Sequence, residues 1–215
     1  MIMKPMKIAF SGPSGLGKTT LANIVADRLE FPHPSTSAGD VFTEHDKFYM
    51  RRVFGYEGKG HQNVINMSAE QPKFGYYFQH RLLTLRAEQI AQPGPFVLDR
   101  CPIDNIVYML TQVGHNLPED VIRPMIEEAQ EAYMALSHII MIRYSNDIPQ
   151  IEDNDSRVPN RYFQQYISDV FGGVYTRYFA HIMGPRVITL DFWRLQDRIS
   201  TVMEFVKSTQ LKAEL

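Results

Sequence analysis

Eight residues near the start, Gly12-Pro13-Ser14-Gly15-Leu16-Gly17-Lys18-Thr19, constrain this chain more than any other stretch. They fit the pattern G-x-x-x-x-G-K-[ST], which needs a strand before it and a helix after it. Both flanks are present. Lys7-Ile8-Ala9-Phe10-Ser11 reads as a buried strand, and Thr20 to Leu29 reads as an amphipathic helix. Glycine lets the backbone fold tightly around an anion with successive N–H groups pointing inward. The helix start adds unsatisfied donors and the positive end of a dipole. Lys18 is placed to reach β- and γ-phosphates, and the Thr19 hydroxyl to ligate Mg²⁺. Gly12, Ser14, Gly15, Gly17, Lys18, Thr19 and Thr20 are therefore expected to bind ATP with its Mg²⁺.

Composition sets bounds around that motif. The chain has 215 residues, 44% of them hydrophobic, which is enough for one sizeable core and a single α/β domain over 1–215. A net charge of −2 gives no sign of the broad basic surface that marks a nucleic-acid binder. Met1 to Met6 is short, polar and interrupted by Pro5, unlike a signal peptide. No apolar run approaches a membrane span, so no membrane partner and a cytoplasmic setting are expected. Cys101 is the single cysteine, which excludes an internal disulfide and a cysteine-rich zinc site. The seven histidines show no metal-ligand spacing.

Strand-like runs alternate with helical patterns along the chain. Phe31 to Gly39 is expected to be a loop around a short second strand, and residues 40–73 a substrate-facing insertion. Helices are expected over Phe74–Gln89, Ile103–Val113 and Pro118–Leu136, with Pro124 near the start of the last. Phe96-Val97-Leu98, Ile139–Ile142 and Arg186–Leu190 read as strands. Phe163 to Tyr178 has the apolar spacing of a long helix, and Leu195 to Val206 that of a closing one. Uniformly apolar strands between helices indicate a parallel sheet covered on both faces. Ligands gather at the carboxyl ends of such strands, so the residues after Phe10, Leu98, Ile142 and Leu190 should line one cleft.

Asp99-Arg100 stands at the carboxyl end of the Phe96–Leu98 strand. Asp99 can hold the metal there, and Arg100 can grip a phosphate of the acceptor or its 5′ end.

The segment Phe78-Gln79-His80-Arg81-Leu82-Leu83-Thr84-Leu85-Arg86, followed by Val97-Leu98-Asp99-Arg100-Cys101-Pro102-Ile103-Asp104, resembles the P-loop nucleoside and nucleotide kinase superfamily. Deoxynucleoside kinases carry Phe-Gln, an Arg seven residues after the Gln, and a Glu-Arg-Ser motif. Thymidylate kinases carry Asp-Arg followed by an aromatic residue. The resemblance implies a three-layer α/β fold, with a parallel sheet of about five strands flanked by helices and a lid. It also implies roles. Gln79 would hydrogen-bond the acceptor base, Phe78 would wall its pocket, Arg86 and Asp104 would support the base site, and Arg100 would meet the sugar-phosphate end.

This chain departs from that pattern in three places. Cys101 replaces the serine or aromatic residue, and Asp104 falls one position earlier than the family's Asp. The family's Glu-Pro, whose Glu serves as base for a 5′-hydroxyl, is missing, and Asp40 is the nearest substitute. A monophosphate is already an ionised nucleophile, so the missing base favours a nucleoside monophosphate over a nucleoside or ribosylnicotinamide-type acceptor. Residues 145–161 lie where the superfamily places its lid, with Arg157 and Arg161 expected to neutralise the transferring phosphoryl. A homodimer is compatible with this reading. A regulatory P-loop ATPase or switch is the alternative of another class, but the guanine-signature and switch motifs of a GTPase are absent from the sequence.

Overall fold

The computed structural model describes residues 5–34, 42–58, 60–145 and 160–210. Four apolar runs form its sheet: β1 (Lys7–Ser11), β2 (Phe96–Leu98), β3 (His138–Ile142) and β4 (Arg186–Leu190). They pair in parallel in the order β2-β1-β3-β4, with Ile8 opposite both Val97 and His138. Runs such as Ile139-Ile140-Met141-Ile142 need cover on both faces, and parallel pairing with helical crossovers provides it.

Eight α-helices are present among the described residues: α1 (Lys18–Leu29), α2 (Glu44–Phe54), α3 (Gly60–Glu70), α4 (Pro72–Ala91), α5 (Pro102–Gln112), α6 (Glu119–Met134), α7 (Arg161–Val174) and α8 (Leu195–Gln210). Strand residues alternate between two cores, as the two-residue pleat dictates. Ala9, Phe96, Leu98, Ile139 and Met141 pack with residues of α4, α5, α6 and α7. Ile8, Phe10, Val97, Ile140 and Ile142 pack with α1 and α8 on the other face. A third cluster of Phe42, Met50, Val64, Phe74, Phe78 and Leu82 ties α2 and α3 to α4, within the expected insertion.

Local chemistry starts the helices that matter most. In α2 the Thr43 hydroxyl accepts from the Asp46 N–H at 3.1 Å, while Asp46 accepts from the Thr43 N–H at 3.0 Å. At α5, Pro102 occupies the first turn and the Asp104 carboxylate accepts the Cys101 N–H at 3.1 Å. Helix α6 begins at Glu119 and runs through Pro124. The long helix expected as far as Tyr178 ends its α-form at Val174 and continues as one π-helical turn, Tyr175–Phe179.

Of the stretch expected to hold a short second strand, Phe31 to Pro34 lies within the described residues. Phe31 to Pro34 forms no strand, although the Val97 N–H of β2 donates to Pro32 O at 3.0 Å and the His33 Nδ1 lies 2.7 Å from Val97 O. Pro32 and Pro34 have no N–H, so this stretch touches the sheet edge without building a ladder. Residues 35–39 lie outside the described residues. Among the described residues, no helix is long and apolar enough to cross a membrane.

Candidate active site

The loop between β1 and α1 owes its path to glycine. Gly12, Gly15 and Gly17 have φ of 134°, 84° and 77°, a region L side chains rarely adopt. A Cβ on Gly12 would stand 2.2 Å from Ile142 O at the end of β3, so only a bare backbone passes there. Lys18 opens α1 and is only 3% exposed, its Nζ donating to Pro13 O at 2.5 Å. Burial, and next the charge of Arg100, lower its pKa to about 7. Thr20 faces outward one residue beyond Thr19.

Asp99 leaves β2 directly beside this loop. The Thr19 hydroxyl donates to Asp99 Oδ2 at 2.6 Å, while Asp99 Oδ1 is buried with no hydrogen-bond partner among the described residues. A hydroxyl and a carboxylate with an unused oxygen form a hard donor set that fits Mg²⁺.

Arg100 joins the phosphate loop to a second polar cluster. Its guanidinium donates to Ser14 Oγ at 3.3 Å and to Asp104 Oδ1 at 3.2 Å, and Nε lies 4.0 Å from Asp99 Oδ1. Burial works against its charge, but Tyr108, Asp104 and Asp99 outweigh it and hold the pKa above the usual arginine range. Asp104 also accepts from the Ser11 hydroxyl at 2.9 Å, and the Tyr108 hydroxyl accepts the Ser14 N–H at 3.1 Å. Helix α5 thus grips the phosphate loop through Asp104 and, one turn on, Tyr108.

Beyond Asp104 lies a buried patch of amides. Asn105 accepts from Arg86 Nη1 and donates to Gln79 O at 3.1 Å and to Gln79 Oε1 at 3.4 Å. Gln79 Nε2 donates in turn to Gln112 Oε1 at 3.3 Å, and Gln112 Nε2 is buried with no partner among the described residues. Gln79 and Arg86 are each 5% exposed and Asn105 is fully buried. Burial lowers the Arg86 pKa to about 10, which leaves it a cation at neutral pH. Three carboxamides and a guanidinium thus form one buried hydrogen-bonded network, in which the Gln112 amide keeps a donor without a partner among the described residues. Phe78 lies beside Gln79 in the aromatic cluster, its ring 5.1 Å from Phe42 and edge-on to it.

The other strand ends reach the same edge of the sheet. Arg143, Tyr144 and Ser145 after β3, Ser168 of α7 and Asp191 after β4 line a cavity of about 440 Å³. The Tyr144 N–H donates to Ser168 Oγ at 2.9 Å.

The structure therefore brings together Ser14, Lys18, Thr19, Asp99, Arg100 and Asp104 around the loop, and Gln79 with Arg86 a short step away. Asp104 is turned toward Ser11 and Arg100, and Asn105 fills the gap between Gln79 and Arg86. Arg161 opens α7 with an exposed side chain, and no contact among the described residues joins it to the phosphate loop. Asp40, Arg157 and residues 146–159 of the lid lie outside the described residues. Sequence reasoning missed Asn105, Tyr108 and Gln112. The signal was there, since they follow Asp104 at one, four and eight residues and so share one side of α5.

A search of curated proteins finds no significant match. Among solved structures, deoxyadenosine kinase from M. mycoides with bound dCTP matches at a TM-score of 0.59 and 16% identity, over 94% of this chain and 100% of that one. Thymidylate kinase from Ehrlichia chaffeensis matches at 0.54 and 15%, over 95% and 100%. NadR in complex with NAD and AMP-PNP matches at 0.53 and 15%, over 93% of this chain and 49% of that one. These likenesses show that the fold is that of the P-loop nucleoside and nucleotide kinases. A family model described as "AAA domain" matches residues 7–182, and the chain belongs to that family of P-loop proteins.

Proposed function

We propose that this protein transfers the γ-phosphoryl group of ATP to a nucleoside monophosphate, giving the diphosphate. One observation carries the reading: Arg100 bridges Ser14 of the phosphate loop and Asp104 of α5, next to the buried Gln79–Asn105–Arg86–Gln112 cluster. A phosphate loop alone serves hydrolysis or switching. A second buried polar cluster joined to it by an arginine suits an acceptor.

Each group has a task in that transfer. The loop N–H groups and Lys18 hold the β- and γ-phosphates, and Thr19 and Asp99 would hold Mg²⁺. A bound Mg²⁺ neutralises charge on the phosphates. Arg100 holds the acceptor phosphate toward the loop, which converts an encounter into an aligned displacement. Gln79, Asn105 and Gln112 read the base, with Arg86 as a fixed donor and Phe78 as the neighbouring wall. Asp104 is engaged by Ser11, Cys101 and Arg100, and Asp99, beside Thr19, is the carboxylate assigned to Mg²⁺. A monophosphate needs no base to deprotonate it, which suits this arrangement. Arg157 and Arg161 are assigned to neutralising the transferring phosphoryl group, and Asp40 is the nearest substitute for the family's missing base. The reading includes a cytoplasmic setting.

A 5′-hydroxyl acceptor is the second reading, favoured by the fold's match to deoxyadenosine kinase. A P-loop ATPase without an acceptor is the third, favoured by the AAA description. Coupled ADP release with each nucleoside and each monophosphate separates them. The proposal expects one monophosphate to stimulate turnover strongly. Stimulation by nucleosides only, or turnover indifferent to every acceptor, overturns it.

A further inference from the structure

The chain's far end reaches back to the phosphate loop through one side chain. Arg198 lies in the first turn of α8 and is 2% exposed, 182 positions along the chain from its partner Leu16. Nη1 donates to Leu16 O at 2.7 Å, and Nε donates to Phe192 O at 2.5 Å. Its guanidinium carbon sits 5.1 Å from the centre of the Trp193 ring. Nη2 is buried with no hydrogen-bond partner, and no carboxylate pairs with this arginine among the described residues.

Two physical consequences follow. In a trans peptide, C=O and N–H point in opposite directions. Fixing Leu16 O toward Arg198 therefore turns the Gly17 N–H the other way, and hydrogen-bonding the carbonyl to a cation strengthens that N–H as a donor. Gly17 sits at φ 77°, where the flanking peptides rotate with little steric restraint, so an external anchor is what selects one orientation. A buried cation without a counter-ion is also costly, because no opposite charge repays its desolvation. A cation in that position beside an anion-binding loop has its counter-charge in the ligand.

We propose that Arg198 is a positioning residue for the phosphate loop: it holds the Leu16–Gly17 peptide in its anion-receiving orientation, and its buried charge is balanced by the bound polyphosphate. The proposal rests on the triphosphate-binding part of the reading above, but not on the identity of the acceptor. It also makes the chain's single tryptophan, Trp193, a reporter of loop occupancy, because the guanidinium on its ring responds to the ligand.

The test is calorimetric titration of Mg-ATP into the full chain and into Arg198→Met and Arg198→Lys, with Trp193 fluorescence and thermal melting on the same samples. Losing a hydrogen bond to a charged group predicts that Arg198→Met binds Mg-ATP weaker by on the order of tenfold or more. The KM for the acceptor should stay within about twofold, since its cluster is untouched. Arg198→Lys keeps the charge and one donor but loses the fork, so its affinity should fall between the two. The parent's Trp193 emission should change on nucleotide addition, and the change should vanish in Arg198→Met.

If the parent itself binds no Mg-ATP, the proposed function fails, whatever Arg198 does. If the parent binds and either folded variant binds equally well, the Arg198 proposal alone is overturned. Should Arg198→Met fail to fold, the Lys variant decides: parent-like affinity refutes the positioning role, and weakened affinity at a near-parent melting temperature supports it.

Discussion

Asn105 offers the sharpest mutational test of the acceptor cluster. Truncation to alanine removes the hydrogen bond that it accepts from Arg86 and the two it donates to Gln79, all within a fully buried site. The bond to a charged partner is worth roughly 1.5–3 kcal/mol, and the neutral pairing with Gln79 adds about 1 kcal/mol. The expected loss is therefore about 2.5–4 kcal/mol, which lowers the melting temperature of a domain this size by roughly 5–15 °C. Gln79 and Arg86 also lose the group that aligns them toward the base. The acceptor KM should rise by about tenfold or more, while the KM for ATP stays within about twofold, because the contacts of Ser14, Lys18 and Thr19 do not involve Asn105. Asn105→Asp is the companion variant. It keeps an acceptor for Arg86 but replaces the donor to Gln79 with an acceptor, so it should lose at least the roughly 1 kcal/mol of that pairing while changing selectivity among bases. Differential scanning calorimetry and steady-state kinetics in both substrates give these numbers. An Asn105→Ala variant that is destabilised yet keeps its acceptor KM would reduce the cluster to a structural network. Equal losses for ATP and acceptor would also refute the division between the two sites.

Three further outcomes are expected. Asp99→Asn should lose most activity and shift the Mg²⁺ requirement upward, as read from a Mg²⁺ titration of turnover; an unchanged titration would leave Asp99 only its bond to Thr19. Gly12→Ala meets both a φ of 134°, costing roughly 1–3 kcal/mol, and a carbonyl 2.2 Å from its new Cβ. It should lower stability to denaturant and weaken Mg-ATP binding together, and parent-like binding would place the anion elsewhere. His138, 4% exposed, has its pKa lowered from 6.5 to about 4 by burial and by the charge of Arg186. Between those values the unfolded chain takes up a proton that the folded one refuses, so stability falls as pH drops from about 6.5 toward 4. The fall amounts to about 3 kcal/mol at most. Unfolding curves at pH 7 and pH 4.5 should differ less in His138→Gln than in the parent, and an identical difference would remove His138 from the cause.

The fold was legible wherever one physical demand had one solution. Glycine spacing around Lys18 fixed a strand, an anion loop and a helix, and uniformly apolar strands fixed a parallel sheet. Where several outcomes satisfied the same residues, the sequence was less telling. Two prolines in Phe31–Pro34 are compatible with an edge strand or with isolated contacts, and these four residues make isolated contacts with Val97. Asp104 and Asn105 are adjacent, so only the exact start of α5 decides which faces the phosphate loop and which faces Gln79. The capping bond from the Cys101 N–H to Asp104 makes that choice, sending Asp104 toward Ser11 and Arg100 and leaving Asn105 for Arg86. Arg198 was invisible for another reason. Its partner Leu16 is 182 positions away, and nothing in a helical pattern marks one arginine as buried.

In the proposed reaction, phosphate leaves ATP for a second bound nucleotide. Incubating the full chain with γ-labelled ATP, Mg²⁺ and each nucleoside monophosphate in turn, then separating the products, follows the phosphate itself. Label is expected in the β-position of one nucleoside diphosphate, formed in step with ADP and lost in Lys18→Ala. Label found only in inorganic phosphate, at a rate that no acceptor changes, would contradict it.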